Sequence, residues 1–481
     1  MSEKYLWLAI ALYAGWGSVF ALAAKRGIRL SLIEYFLAGR KLHWIIATLS
    51  YGATTYSAFM MLGLVGLTYR GGVGALGFEL VYLSGLFWAV LVGPRFWKAG
   101  KHYECVSPGE ILTLRYRSRL VGAAYTLLAL GFLIPYTSVQ LTGIAYLLEV
   151  LSEGRISYLG GLALAVFFII LWTAIAGLRS VAATDSLQAG VMMASSLTLV
   201  LFLIVKFFGG LAHFFHQVET SYPQWLSVPG NGFFTFRMFL NLSLPWFFFS
   251  ISNPQVLQRL LVPASLREMR KTITGFLGFG FVYTLVTVTL GFVALCLIPG
   301  LANPDLATPT ILSRFSVPSW IALFVVLGII SAAVSTADSI ILTLSSMFLS
   351  DLYPKKGEEK KRLLLAQFIF IPTLCVAVFL FALGRFNLIA LLSVTSSLGL
   401  LSVVPTILGA FFTRWGNEKG ALASMLAGAF LVLLQLAGWN PFKGWTAPSV
   451  LVITFGVYAL LGVLAPSREN EEFFATFSAP R

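Results

Sequence analysis

Three cysteines, Cys105, Cys296 and Cys375, are all that 481 residues contain, and they are scattered. Their spacing builds neither a disulfide framework nor a thiolate metal site. Histidine is as scarce. His43, His102, His213 and His216 each fall near the end of an apolar stretch without a metal-like set of partners, so they read as interfacial side chains. Only 11% of the chain is charged. The largest hydrophilic gap, residues 95–119, is a connector rather than a soluble domain. The apolar stretches hold no nucleophile–base pair, no His/Asp cluster and no phosphate-cradling loop. These absences argue against an enzyme.

Apolar sequence is what abounds: 58% of the residues are hydrophobic and the mean hydropathy is +0.87. A helix needs about 20 apolar residues to cross the hydrocarbon of a bilayer. Runs of that size recur along the whole chain, which predicts an all-α polytopic membrane protein with about thirteen transmembrane helices. They are expected at 5–24, 45–66, 75–94, 120–151, 158–176, 184–207, 235–256, 272–299, 318–348, 364–384, 388–412, 420–437 and 448–466. The first run is too long for a secretory signal and reads as a retained helix.

The net charge of +14 follows the positive-inside rule and needs no nucleic acid. Of 33 Lys and Arg, 25 fall in alternate connections and the C-terminal tail. This puts the N-terminus outside and the C-terminus in the cytoplasm, in an integral plasma (inner) membrane protein. The charge run Lys355–Arg362 reads as a solvated loop near anionic headgroups.

One apolar stretch is unusual. Residues 331–346 carry Ser335, Thr336, Ser339, Thr343 and Ser346 at helical spacing, with Asp338 on the flank. Positions three and four apart share a helix face, so the hydroxyls form one stripe. Polar groups at membrane depth are expected to face other helices or a wet cavity, and oxygen ligands suit a hard cation. The alternative is that the hydroxyls bond back to their own helix and let helices approach closely.

Two spans look interrupted. The second contains Ser50-Tyr-Gly-Ala-Thr-Thr-Tyr-Ser57, and the seventh contains Pro245 and then Ser252-Asn253-Pro254. Unwound backbone at this depth is tolerated only in protein or along a cavity. The breaks stand five spans apart, each opening a five-span block. Five is odd, so the blocks run in opposite directions, and matched broken helices point to a substrate site between inverted repeats. The organisation expected is a flanking helix and cytoplasmic loop (1–44), a first repeat (45–207), an extracellular connection (208–234), a second repeat (235–413), and two flanking helices with a tail (414–481).

Four segments carry a resemblance to a known family. They are Glu34-Tyr-Phe-Leu-Ala-Gly-Arg40, Ala53-Thr-Thr-Tyr-Ser57 with Met60-Met-Leu-Gly63, Gly177-Leu-Arg-Ser-Val-Ala-Ala-Thr-Asp-Ser-Leu-Gln188, and Ala332-Ala-Val-Ser-Thr-Ala-Asp-Ser339 running on to Asp351-Leu-Tyr353. In this order they resemble the sodium:solute symporters, a family that includes proline, pantothenate, monocarboxylate and sugar carriers. The resemblance implies a LeuT-like 5+5 inverted repeat with flanking helices. It implies a sodium site formed by the backbone carbonyls of Ala53, Tyr56 and Ala332 and the hydroxyls of Ser335 and Thr336. It places Asp185 and Asp338 along the sodium exit path. Asp185 or Thr184 capping the start of a helix is the alternative there.

The same resemblance implies a solute pocket of Thr55, Ser57, Phe59, Glu79, Tyr136, Gln140, Trp246 and Ser250. Phe59 stands where the proline carrier has tryptophan, Ser250 where it has tyrosine, and Thr55 where it has aspartate, which argues against proline. Glu79 corresponds to a pocket glutamate of the sugar carriers, or is a protonated or paired structural acid.

The expectation is therefore a sodium-coupled symporter, not an enzyme, importing a small organic acid or amino acid by alternating access. Its partners would be the solute, the co-transported sodium ion and the lipid bilayer, with no organic cofactor and no nucleic acid, as a monomer or weak oligomer. A sugar symporter, a proton-coupled carrier and a transporter-like sensor are the alternatives. A sensor would need a separate partner, since the tail after Leu464 is too short for a kinase module.

Overall fold

A computed structural model describes residues 3–24, 31–353, 358–385, 389–439, 441–464 and 471–478. Lys355, Lys356 and Gly357 of the charge run lie outside them. Among the described residues the only strand-like pairing is one parallel bridge, Leu42 with Pro263.

The helices in chain order are α1 (Glu3–Ala24), α2 (Leu32–Leu37), α3 (Trp44–Thr55), α4 (Val65–Gly71), α5 (Gly74–Ser84), α6 (Leu86–His102), α7 (Pro108–Tyr116) and α8 (Arg119–Leu151). Then come α9 (Tyr158–Leu203), α10 (Leu211–Ser221), α11 (Phe236–Phe247), α12 (Phe249–Ser252), α13 (Pro254–Arg259), α14 (Leu266–Leu297), α15 (Ala307–Arg314) and α16 (Ser319–Met347). The last are α17 (Glu359–Leu365), α18 (Ile371–Ala382), α19 (Ile389–Leu400), α20 (Val404–Phe412), α21 (Glu418–Leu436), α22 (Thr446–Leu464) and α23 (Glu471–Ser478).

Among the described residues nine helices are long and apolar enough to cross a membrane, ten if the bent pair α3 and α4 is one span. The count of thirteen is not reached by that measure, for local reasons. The first expected span is helical throughout, as α1 (Glu3–Ala24), and the fifth forms the first part of α9, from Tyr158 to the kink at Gly177. The seventh is divided into α11, α12 and α13.

Both interrupted spans are broken, the second of them at Phe248 and Asn253, while Pro245, expected to interrupt it, lies inside α11. α3 ends at Thr55, Tyr56 turns extended at φ −89° and ψ 96°, and the chain re-forms helix through a widened turn, Phe59–Leu64. The two halves are bent by 57°. In the second span Phe248 and Asn253 leave helical geometry, and Pro254 opens α13. Proline lacks the N–H that would continue α12, and its fixed φ suits a first helical turn.

The fifth and sixth expected spans are continuous through a kink at Gly177, whose φ of 58° and ψ of −167° favour glycine. Tyr35 packs against this point, with its carbonyl oxygen 2.6 Å from where a Cβ would stand. Thr184 and Asp185 therefore lie inside a helix. The N-capping alternative is overturned: the Thr184 hydroxyl bonds back to the Ser180 carbonyl.

α16 is among the most deeply buried helices, with 78% of its most apolar part buried against 33% for α22. At the end that the charge bias makes cytoplasmic, the turn after α16 is tied down through Asp351. This carboxylate accepts from Ser107 Oγ at 3.0 Å and from Thr126 Oγ1 at 2.7 Å. The Ser107 hydroxyl in turn accepts from the Glu110 N–H at 3.0 Å, and Glu110 caps back onto the Ser107 N–H. Burial pushes the Glu110 carboxyl up from its ordinary range.

Arg115 also departs from expectation. It was counted among loop charges, but its side chain is buried and donates to the carbonyls of Ala410 and Thr413 at 3.1 and 2.8 Å. It satisfies the open end of α20.

Replacing Thr126 by Val removes one neutral donor from the Asp351 carboxylate. A hydrogen bond to a charged group contributes about 1.5–3 kcal/mol. A loss of that size in chemical unfolding of the purified protein is expected, with the helical content of the native state unchanged.

Candidate cation and solute site

The hydroxyl stripe of α16 is matched position by position by the two broken spans. Ser335 Oγ and Thr336 Oγ1 both donate to the carbonyl of Ala53, at 3.0 and 3.1 Å. Ser335 also reaches the carbonyl of Ala332 at 3.2 Å. One turn on, Ser339 Oγ lies 2.8 Å from Thr54 Oγ1. Further along, Thr343 donates to Gln258 Oε1 at 2.7 Å, and Gln258 Nε2 donates to Ser346 Oγ at 2.8 Å. Asp338 leaves this face and accepts from Thr173 of α9 at 2.8 Å.

Ala53, Ala332, Ser335 and Thr336 thus converge on one point, and Tyr56 supplies the turn beside it. The break frees carbonyls of α3 from the helical ladder, while several of its donors find new partners. Ala58 N–H donates to Gln140 Oε1 at 3.1 Å, Phe59 N–H to Ser57 Oγ at 3.1 Å, and Met60 N–H to the Ser57 carbonyl at 3.0 Å. What is left is a neutral cluster of carbonyl and hydroxyl oxygens, suited to a small hard monovalent cation. Among the described residues no group of three His, Cys, Asp or Glu could hold a metal ion.

Toward the Asp351 end of α16 lies a group the sequence reading missed. Arg259, in the last turn of α13, is buried. Its Nη2 donates to Ser339 Oγ at 2.6 Å and to Thr54 Oγ1 at 3.1 Å, and pairs with Asp185 Oδ2 at 3.4 Å. Ser50 donates to the same Asp185 oxygen at 2.7 Å. Four elements, α3, α9, α13 and α16, are fastened by one guanidinium. A tally of basic connections places Arg259 in a loop, because a charge count does not tell a loop arginine from one drawn into the bundle. Asp185 and Asp338 share no hydrogen-bond partner among the described contacts.

The candidate solute residues lie on the other side of the break, and all are buried. Trp246 stacks between Phe59 and Phe249, with ring centroids 5.3 and 4.6 Å apart. Phe78 and Tyr82 of α5 meet the same indole edge-on. Tyr136 packs on Phe249 at 6.2 Å. Ser250 is engaged elsewhere, donating to the carbonyl of Gly85 at 2.9 Å. Phe249 and Tyr82 were not among the expected residues. Their spacing looks like ordinary core, and only packing brings them onto Trp246.

Glu79 is fully buried. Neither carboxyl oxygen has a hydrogen-bond partner, whereas the nearby hydroxyls face one another, Tyr82 toward Thr55 and Tyr136 toward Ser57. Buried polar groups are nearly always paired, which makes Glu79 the exception among these residues.

A broken helix thus crosses an intact, hydroxyl-lined one, with a buried aromatic cluster around Trp246 alongside. The sodium:solute symporter family model matches residues 35–428, and the chain belongs to that family. It is 26% identical over 452 residues to the sodium/pantothenate symporter of Escherichia coli (strain K12), covering 90% of this chain and 91% of that one. It is 25% identical over 435 residues to the sodium/proline symporter of Staphylococcus aureus (strain JH9), covering 85% and 82%. The structure of a Na+-coupled sialic acid symporter in a substrate-bound, outward-open state superposes with a TM-score of 0.79 at 17% identity, over 97% and 99% of the two chains. The fold is LeuT-like, and the chain is an integral membrane transporter that couples a small-molecule solute to sodium, not an enzyme.

Removing one partner of a buried ion pair costs about 3–5 kcal/mol. Asp185→Asn should therefore destabilise the protein strongly. Combining it with Arg259→Met should recover part of the loss. A double-mutant cycle on unfolding in detergent measures the coupling, and additive losses would show that the two side chains act independently.

Proposed function

We propose that this protein imports a small carboxylate-bearing solute, an amino acid or organic acid, together with sodium. The N-terminus would face outside and the C-terminus the cytoplasm, with residues 45–207 and 235–413 forming the two inverted repeats. The observation that carries the reading is the convergence of Ser335 and Thr336 on the carbonyl of Ala53, within a turn of the residues that wall the solute pocket.

That closeness supports coupling. Sodium would be held by carbonyls and hydroxyls across the junction of α3 and α16, fixing the break. Ser57, Phe59 and the backbone that Gln140 holds belong to the same break, so fixing it shapes the pocket. By linkage the solute must then raise the affinity for sodium by the same factor. One sodium ion moving down a membrane potential of 100 mV releases roughly 2.3 kcal/mol.

Arg259 would close the cytoplasmic side. In the arrangement seen here its cation sits against Thr54 and Ser339, directly inward of the sodium ligands. Inward release would require Arg259 to withdraw, with Asp185 taking over sodium along the exit path.

Glu79 favours a solute with an ammonium or several hydroxyls, because a buried carboxylate without a partner is costly. An amino acid satisfies this and brings a carboxylate for the sodium side. A sugar also satisfies Glu79, so the sugar carrier is the second reading.

Sodium-gradient-driven current in proteoliposomes, across amino acids, short monocarboxylates, pantothenate and sugars, tests the proposal. A solute-evoked current that needs sodium is expected. Current that persists without sodium and follows a proton gradient would sink it. In Thr336→Ala the sodium concentration for half-maximal current should rise about tenfold, the order expected for losing about 1–1.5 kcal/mol of a ligand. Glu79→Gln should weaken apparent affinity for an amine-bearing solute more than for an amine-free acid of the same size.

A further inference from the structure

Most of the basic residues lie at the cytoplasmic end. Of the eight Lys and Arg outside the positive-inside set, two meet at one cavity. Arg237 near the start of α11 and Lys443 just before α22 both line a space of about 580 Å³, bounded also by α19 and the end of α21. No Asp or Glu is among its lining residues. Arg237 Nη1 donates to the carbonyl of Lys443 at 2.8 Å, which holds the two cations together.

Two helices begin at this cavity. Thr235 caps α11, its hydroxyl accepting from the Met238 N–H, and α22 starts at Thr446. The positive ends of both macrodipoles therefore point the same way as the side-chain charges. A second observation marks a ligand position. Thr446 lines the cavity, is only 3% exposed, and its hydroxyl has no hydrogen-bond partner. Such a hydroxyl can donate to an anion placed between Arg237 and Lys443. Asn241 orders the α22 end, its Oδ1 accepting the Ala447 N–H at 2.9 Å.

The position matters for transport. Leu242 lines the inner part of the cavity, and Trp246 follows one helical turn deeper, about 6 Å along α11. Trp246 is the aromatic partition of the solute pocket. The cavity thus opens on the outer side of that partition, at the end that the charge bias places outside.

We propose that this cavity is an outer anion-binding vestibule, where the carboxylate of the solute docks before the partition opens. It deepens the functional reading above and rests on it for the identity of the passenger. Carboxylate binding in the vestibule itself does not require sodium.

The test uses the full-length protein in nanodiscs, in sodium-free N-methylglucamine buffer. Propionate is the probe and propionamide its uncharged control. Binding is read by tryptophan fluorescence, to which Trp445 beside Lys443 contributes. A saturable response to propionate and none to propionamide is expected. Lys443→Gln should weaken it about three- to fivefold, the size of one partly exposed charge pair, and Lys443→Arg should restore it. Lys443 carries the test because Arg237 also ties α11 to the α22 loop and its loss would disturb packing.

An equal response to propionamide, no saturable response, or no change in Lys443→Gln would overturn the vestibule. A response lost in Trp246→Ala but kept in Lys443→Gln would place propionate in the central pocket and also overturn it, leaving the solute-pocket reading intact. Conversely, vestibule binding without any sodium-dependent current would refute the functional reading alone.

Discussion

Within a bilayer every backbone N–H and C=O must find a partner inside the protein, and the break at residues 53–58 is where this chain turns that rule to use. Its N–H groups are taken up by Gln140, Ser57 and a local turn. Its carbonyls meet hydroxyls instead of amides. Ser335 and Thr336 donate to the Ala53 carbonyl; in the proposed sodium site their hydroxyl hydrogens would turn away, so that the same oxygens would face the ion. A helix with alanines at those positions would leave the Ala53 carbonyl without either partner.

The rest of the bundle follows from holding that junction. α16 is buried at the centre because its polar stripe must be enclosed. The stripe is satisfied along its length by α3 above and α13 below. Arg259 and Gln258 complete the lower part, and Asp351 anchors the exit of the helix. The aromatic stack around Trp246 is the apolar counterpart on the other side of the break. Phe59 belongs to both regions, in the turn that reconnects the broken helix and against the indole.

Charge is placed with similar economy. The cytoplasmic end carries most of the basic residues and obeys the rule for membrane orientation. Two cations depart from that role by burial: Arg115 closes the open end of α20, and Arg259 ties together Thr54, Asp185 and Ser339. Two more gather at the opposite face beside two helix N-termini. Each set acts through its surroundings. In an exposed loop the same side chains would contribute little beyond orientation.

The sequence by itself determined the class of fold. Apolar runs of bilayer length, the alternating basic connections, the two breaks and the hydroxyl stripe are local patterns, and periodicity and proline chemistry make them readable one segment at a time. The Ser335 and Thr336 hydroxyls could be assigned to a polar face because helical spacing alone sets faces. Only the tertiary structure decided what each face meets. Arg259 lies at the end of a short helix whose start, Pro254, is plain in the sequence, yet its partners Thr54, Asp185 and Ser339 are 205, 74 and 80 residues away. The helix that carries Asp185 runs unbroken through the place where a start was expected, because one glycine absorbs the kink. The partition of Phe59, Trp246, Phe249 and Tyr82 looks like common core in one dimension. Packing of the Phe59–Leu64 turn, α5, α11 and α12 brings it together around Trp246, and that contact between distant segments leaves no period or spacing in the chain.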